Sequence, residues 1–410
     1  MLRISFKKNS LILSMLIISG GIGTYLFPIN ILGGNLFAFR IIVVIIFINI
    51  MLKHINMIFG LFNSLSLFIF KMLIFIWFFI PLITLFLVSN SKIALINYFN
   101  IVFGLITFIV ILFYLKNFKN SLSILVKSIS FICIINLVIN YIELITFKHL
   151  DYTFVDSLPD YAKEIPIAYG FFGNPNNNAY FLCLSLPILY LDFNNNKKKV
   201  ILISLLTFIS ILFSSSRLSF IGLLIFWSFM FFANFNKNKK TFISIFITLL
   251  GFLVFYIKDI ITLLELNALI ISSDNYNTSS SEVRLQHFHN MFYYLKETYG
   301  FGLGPGGYES LGNNMRGHPE SISPHNFFVE VFTDYGILIG VLLSISLTIR
   351  IFLERKSTNK RINFLLTLFG ILFLILSPQN SGYLKNQITW MFLAIVFSNF
   401  NDNEFNTDEL

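Results

Sequence analysis

Four polar clusters interrupt an otherwise apolar chain, and each holds side chains able to do chemistry. The sharpest is Ser323-Pro324-His325-Asn326, followed by Glu330 and Asp334. Ser323 reads as a helix N-cap and Pro324 as the first helical residue, which puts His325 in the first turn. There the positive end of the helix dipole favours neutral imidazole, a form that can take a proton. Asn326, Glu330 and Asp334 recur at four-residue intervals along one helix face. Two carboxylates inside a membrane span are costly, so they imply either a function or a buried partner. The histidine is accordingly either a general base or a cap at an interface, with the acids paired for structure.

A second cluster, Ser281-Glu282-Val283-Arg284 to Glu297, ends in Gly300-Phe301-Gly302-Leu303-Gly304-Pro305-Gly306-Gly307-Tyr308. Leu285, Phe288, Phe292 and Leu295 recur at helical spacing, which predicts an amphipathic helix lying on the membrane or on the transmembrane bundle, with Arg284 near its start. The glycines let backbone amides approach a polar ligand closely, or are simply a helix stop followed by turns. His287 and His289 are two apart and face different sides of a helix, which argues against a paired metal site. The third cluster, Ser214-Ser215-Ser216-Arg217-Leu218-Ser219, joins two spans with almost no loop. Its guanidinium is placed either to grip two phosphate oxygens at headgroup level or to anchor the helix by snorkelling; Arg40 reads as an anchor. The fourth is Gly170-Phe171-Phe172-Gly173-Asn174-Pro175-Asn176-Asn177-Asn178. Pro175 forces Asn174 into an extended conformation, and the asparagines either cap the following helix or offer amides to sugar hydroxyls.

The elements that position these clusters must be transmembrane helices. Of 410 residues 56% are hydrophobic and 12% charged, with 51 Phe and a mean hydropathy of +0.77, which excludes a water-soluble enzyme and a disordered chain. Since about 20 apolar residues cross a bilayer core, the chain has room for about twelve spans. They fall near residues 10–28, 36–52, 72–89, 97–115, 122–146, 178–191, 200–213, 218–234, 241–257, 325–349, 362–378 and 386–399. The first is read as a retained helix rather than a cleaved signal, and 57–70, which holds Asn63, Ser64 and Ser66 between Lys53 and Lys71, as an interfacial or re-entrant segment. The net charge of +9 is then explained by orientation rather than by nucleic acid. With the N-terminus inside, Lys53, Lys71, Lys116, Lys119, Lys127, Lys197 to Lys199, Lys237, Lys239, Lys240, Arg350, Arg355, Lys356, Lys360 and Arg361 all fall on the cytoplasmic side. Cys133 and Cys183 sit in apolar runs and suggest neither a disulfide nor a thiolate site.

This layout divides the chain into N-terminal spans (1–146), an external loop (147–177), central spans (178–257), a large external loop (258–324), C-terminal spans (325–400) and a cytoplasmic tail (401–410). The two loops carry most of the acids and most of the histidines. Long polar loops on one face are where a membrane enzyme would work.

Taken in order, the clusters resemble the O-antigen polymerase and O-antigen ligase superfamily of bacterial polysaccharide assembly. The likeness rests on Arg217 at the outer end of a mid-chain span, Arg284 opening a helix that runs into Gly302-Leu303-Gly304, and His325-Asn326 starting the next span. The gap of nine residues from Asn326 to Gly336 matches the ligase pattern, while Gly340 comes one residue late; Gly173-Asn174-Pro175-Asn176 is more like the polymerases. The resemblance implies an all-α polytopic membrane protein with a GT-C-like bundle and a large external loop. It implies glycan transfer from undecaprenyl diphosphate to a sugar hydroxyl at the outer face of the cytoplasmic membrane, without a metal or other cofactor. Arg217 and Arg284 would bind and neutralise the departing diphosphate, His325 would act as base, and Glu282 is a second base candidate. Asn174, Asn176, Asn326, Gly302, Gly304 and Tyr308 would contact the glycan. Implied partners are the lipid-linked oligosaccharide, the bilayer, a chain-length regulator and a flippase. A ligase acting on lipid A core is the alternative enzyme. A flippase or transporter is the alternative of another class, against which stands the collection of candidate groups at one outer boundary rather than at the midplane.

Overall fold

A computed structural model describes residues 2–22, 29–31, 34–36, 38–118, 120–149, 167–172, 174–192, 196–214, 216–234, 280–312, 315, 326–354, 359–379 and 383–398. These residues are helical apart from connecting turns and one antiparallel hairpin, in which β1 (Ile29–Ile31) pairs with β2 (Gly34–Leu36). The chain forms two compact units. One comprises Met1–Ile132, Ser281–Gly370 and Asn380–Leu410, the other Cys133–Ser280 and Ile371–Gln379.

Among the described residues, five stretches are long and apolar enough to cross a membrane: Phe39–Phe62, Leu65–Thr84, Ser91–Asn117, Ser121–Thr146 and Phe327–Leu353. The chain is a multi-pass membrane protein. Shorter apolar helices run over Asn9–Ile22, Arg217–Met230 and Gln387–Phe397. The expected span at 241–257 lies outside the described residues. The separate interfacial segment expected at 57–70 does not exist. Helix α2 (Ala38–Phe59) continues as a 3-10 turn to Phe62, and α3 (Leu65–Thr84) starts at once, with the Ser64 hydroxyl accepting from the Leu67 amide. The polar residues there are the turn between two spans, and the Lys71 ammonium lies 5.5 Å from the Phe59 ring centroid across it.

In the first unit α4 (Ser91–Asn117), the most buried of the five long stretches, packs on α2 and on the fully buried α13 (Gln387–Phe397), while α3 packs on α11 (Phe327–Thr348). Gly104 makes the closest of these approaches possible, since a side chain there would run into the indole of Trp390. Trp77 is fully buried, 5.4 Å from Trp390 and 5.7 Å from Tyr335 between ring centroids, and Phe70, Phe108 and Phe397 form a second aromatic cluster. Arg40 does not snorkel. It is buried, with Nη2 donating to Asn100 Oδ1 at 2.6 Å and the guanidinium 5.3 Å from the Phe103 ring.

The other end of α11 is tied down by helix-end electrostatics. Its last turn is a π-helix, Ile349–Leu353, and there Arg350 donates through Nε to the Val396 carbonyl (3.1 Å) and through Nη2 to that of Ser398. Glu354 accepts from the Ser66 amide (2.9 Å) and hydroxyl. A cation thus meets the negative end of α13 and an anion the positive end of α3. Partial burial opposes ionisation of Glu354, but the bonds from Ser66 and Ser64 together with the Arg350 charge outweigh it and hold the carboxyl below its usual range.

In the second unit α6 (Pro175–Leu189) packs on α7 (Lys197–Phe213) and α8 (Arg217–Asn234). Helix α5 (Ser121–Thr146) begins in the first unit and ends in the second, as does α12 (Lys360–Leu376).

Candidate functional site

Within the first unit the structure joins the glycine turn of the second cluster to the acidic helix of the first. Helix α9 (Ser280–Glu297) carries Arg284, half-buried, in its second turn. One turn further on, His287 and Asn290 are buried and converge on the hydroxyl of buried Tyr308: His287 Nδ1 lies 2.6 Å away, and Asn290 Nδ2 donates at 3.2 Å. With the hydroxyl donating to Nδ1 and accepting from Asn290, both its donor and its acceptor capacity are used. Burial pushes the Tyr308 phenol well up, so it stays protonated. His289, by contrast, is exposed on the other side of α9.

Tyr308 opens the short helix α10 (Gly307–Ser310), and its amide donates to Asp334 Oδ1 at 2.9 Å, while that of Gly306 donates to Oδ2 at 3.1 Å. Asp334 therefore has the buried partner that its position demanded, and the partner is backbone. The glycine turn also repairs a break in α11. At Gly336 the helix leaves helical geometry (φ 84°, ψ 177°), and the Thr333 and Asp334 carbonyls accept instead from the Leu303 and Gly304 amides, both at 2.8 Å. Ile337 in turn donates to the Gly300 carbonyl at 2.9 Å. A Cβ on Gly302 would lie 2.6 Å from the Gly336 nitrogen, and one on Gly304 2.8 Å from the Thr84 carbonyl oxygen. These two glycines are there because backbone packs on backbone.

Helix α11 starts three residues later than its sequence predicts. Asn326, not Ser323, is the N-cap, its Oδ1 accepting from the Phe328 (2.9 Å) and Val329 (3.2 Å) amides. Asn caps as well as Ser does, so the later site was equally available. Ser323, Pro324 and His325 lie outside the described residues, as does the side chain of Glu282. Glu330 is buried on the Asn326 face, one turn before Asp334. Glu309 receives Lys385 Nζ at 2.5 Å and Asn97 Nδ2 at 3.3 Å, which ties α10 to the start of α4.

The second unit joins the other two clusters. Asn174 caps α6, accepting from the amides of Asn176 (2.8 Å) and Asn177 (3.4 Å), one of the two roles the sequence left open. Arg217 is the first residue of α8 and is exposed, and the Ser216 hydroxyl accepts from the Ser219 amide at 3.4 Å. Gln379 spans the two: Oε1 accepts from the Ser219 hydroxyl at 2.6 Å, and Nε2 donates to the Asn176 carbonyl at 2.6 Å. Behind this bridge lies a buried network that the sequence reading missed. Glu143 Oε2 accepts from the Tyr169 and Gly170 amides, both at 2.9 Å, and Asn136 Oδ1 from that of Phe171 at 3.0 Å. Asn136 and Asn140 both donate to Asn178. Burial, helped by the Glu143 charge, pushes the Tyr169 phenol up to about 12, and burial holds the His149 imidazole below its usual value. The signal was present as Asn136, Asn140 and Glu143 at helical spacing on one face of an apolar run.

The predicted site residues thus fall on both units, Arg217, Asn174 and Asn176 on the second and Arg284, Gly302, Gly304, Tyr308 and Asn326 on the first. What the described parts offer chemically is a guanidinium at a helix start, an arrangement suited to phosphate oxygens, and a second guanidinium on a helix whose rotation is fixed by buried hydrogen bonds. Residues 202–344 match the family model described as O-antigen ligase. No curated protein matches the chain. The match takes in Arg217, Glu282, Arg284, the glycine turn, His325 and Asn326; Asn174 and Asn176 lie before it.

Proposed function

We propose, from the coincidence of the O-antigen ligase match over residues 202–344 with the two arginines and the His325-Asn326 pair, that the protein is a polysaccharide polymerase. It is a glycosyltransferase of the cytoplasmic membrane with about twelve spans in a GT-C-like bundle, both termini inside and the reaction on the outer face. The donor is a glycan on undecaprenyl diphosphate, and the acceptor is a sugar hydroxyl of another lipid-linked repeat unit of an O-antigen or a capsule.

In the transfer the bond between the anomeric carbon and the diphosphate oxygen breaks, a bond to the acceptor oxygen forms, and the hydroxyl proton leaves to a base. Arg217 and Arg284 neutralise charge growing on the diphosphate, where forked guanidiniums gain most in the transition state. His325 orients or deprotonates the hydroxyl, and Glu282 is the second candidate. Asn174, Asn176, Asn326 and Tyr308 are proposed on the glycan side, with Gly302 and Gly304 shaping the turn beside them. A chain-length regulator and a flippase are the proposed protein partners. The family description itself favours a second reading, transfer of finished polysaccharide to lipid A core.

Deleting the gene and analysing surface polysaccharide and extracted lipid-linked glycans separates the readings. Loss of the long-chain ladder, with single repeats still reaching the surface or accumulating on outward-facing lipid, is the polymerase result. Long chains stranded on undecaprenyl diphosphate mean ligase, and single repeats trapped on the inner leaflet mean flippase. In the complemented strain Arg217→Ala, Arg284→Ala and His325→Ala abolish chain growth with membrane insertion intact, a loss of at least about 100-fold. Lys197→Ala, at an exposed helix start, leaves growth unchanged. Full activity of His325→Ala would remove the base assignment.

A further inference from the structure

We propose that the outward face of α9, formed by Leu285, Phe288 and Phe292, is seated in the lipid bilayer at the headgroup boundary and so sets the depth at which Arg284 is held. Helix α9 leaves an apolar stripe of its surface uncovered. Its polar residues His287 and Asn290 point inward with Met291 and Tyr294, whereas Leu285, Phe288 and Phe292 are 57%, 45% and 56% exposed. Phe288 and Phe292 lean edge to face, 5.1 Å between centroids, and with Leu285 the stripe runs over about two turns. A stripe of this size standing in water is the mark of an interaction surface.

What covers it follows from where it leads. Past the end of α9, Tyr299 and Phe301 are 92% and 65% exposed. Between them Gly300 accepts from the Ile337 amide, and a Cβ on Gly300 would touch the Ile337 side chain at 3.2 Å. Ile337, Leu338, Val341 and Ile345 are the exposed face of the candidate span Phe327–Leu353, and a span shows such a face to acyl chains. The stripe on α9 is therefore continuous with a lipid-facing surface. Exposed His289 and Lys296 follow one edge of the stripe and Arg284 the other, the arrangement by which cationic side chains reach from an apolar bed to headgroup phosphates. This places Arg284 at phosphate height. The assignment of that height to a lipid-diphosphate donor rests on the proposed function; the seating itself does not.

The test uses the full chain in vesicles of phosphatidylethanolamine and phosphatidylglycerol, labelled with bimane on Phe288→Cys or, should that variant fail to fold, on Phe292→Cys. Cys133 and Cys183 are fully buried, and the unsubstituted chain gives the labelling background. Seating in lipid predicts that a lipid carrying a nitroxide near its headgroup quenches the label at least several-fold more than aqueous iodide does. A label on exposed Glu297→Cys shows the opposite preference. Quenching of the Phe288 label by iodide means that the stripe stands in water, and access by neither quencher means that protein covers it; either overturns the proposal. No turnover is needed for this readout, so its failure leaves the polymerase reading standing, and failure of that reading leaves the seating intact.

Discussion

Tyr308 works at both ends, its amide on Asp334 and its hydroxyl on His287 and Asn290, so one residue links the break in α11 to the rotation of α9. Tyr308→Phe keeps the ring and removes the oxygen that His287 Nδ1 and Asn290 Nδ2 share in a buried site. Each group left without a partner costs about 1–3 kcal/mol. The variant is expected to lower the thermal midpoint of the detergent-solubilised protein by several degrees, read by size-exclusion chromatography after heating, and to slow chain growth because Arg284 rides on the same helix. Asp334→Asn is predicted to be the more damaging change. The amide oxygen can keep one of the two backbone bonds, but its NH2 group then faces the other N–H, donor against donor, a cost of about 2–4 kcal/mol. A thermal midpoint unchanged in Asp334→Asn would show that the two amides are not what holds the acid. The cost of Asp334 was legible in the sequence as a carboxylate inside an apolar run. Its partner was not, because backbone amides at Gly306 and Tyr308 leave no side-chain signature.

At the scale of the element, the glycine turn and the broken helix make one object. The Gly336 conformation lies in a region open almost only to glycine, and a Cβ there would collide with the carbonyl of Gly300, which cannot move without giving up its bond to Ile337. Gly336→Ala is accordingly expected to cost about 3 kcal/mol or more and to open 300–307 to limited proteolysis. At Gly60, which has no positive φ and nothing within 4 Å of a built Cβ, alanine should be neutral to within about 1 kcal/mol. Equal proteolysis of the two variants would deny the glycine turn its role as the patch. Sequence reading found most of these helices because apolar run length marks them strongly, and it offered the Asn174 cap as one of two roles because Asn-Pro fixes the local conformation. The start of α11 was misplaced because Ser323 and Asn326 are both good caps and nothing local in the sequence chooses between them. The break at Gly336 was invisible because nothing local distinguishes it from a tolerated glycine in a helix, and the stripe of Asn136, Asn140 and Glu143 was hidden in the apolar run that identified its span.

For the whole molecule the question is which side of the membrane the site faces, and the first unit alone carries an argument. Phe39–Phe62, Leu65–Thr84, Ser91–Asn117 and Ser121–Thr146 follow one another with only short turns, so successive spans must reverse direction. The turns at 63–64 and 118–120 therefore share one side and the turn at 85–90 takes the other. Lys53, Lys71, Lys116, Lys119 and Lys127 flank the first two turns, while Lys92 alone flanks the third. This bias is the one expected of cytoplasmic first and second turns, the orientation we propose. The glycine turn packs at the third: Gly304 lies against Thr84 and Val88, Gly306 against Asn97, and the hydroxyls of Ser89 and Ser310 are 3.4 Å apart. At the opposite end of the same bundle Glu354 binds Ser66, directly after the turn at 63–64. In that orientation the turn that reads Asp334 and steadies α9 lies outside, as the proposed polymerase requires. A membrane-impermeant maleimide on intact cells is predicted to label Ser89→Cys at once and Asn63→Cys only after permeabilisation, both side chains being exposed. The opposite order would turn the bundle over, put Arg284 and Asn326 on the cytoplasmic face, and remove the external polymerase reading together with its flippase and chain-length partners, whatever the variants do to activity.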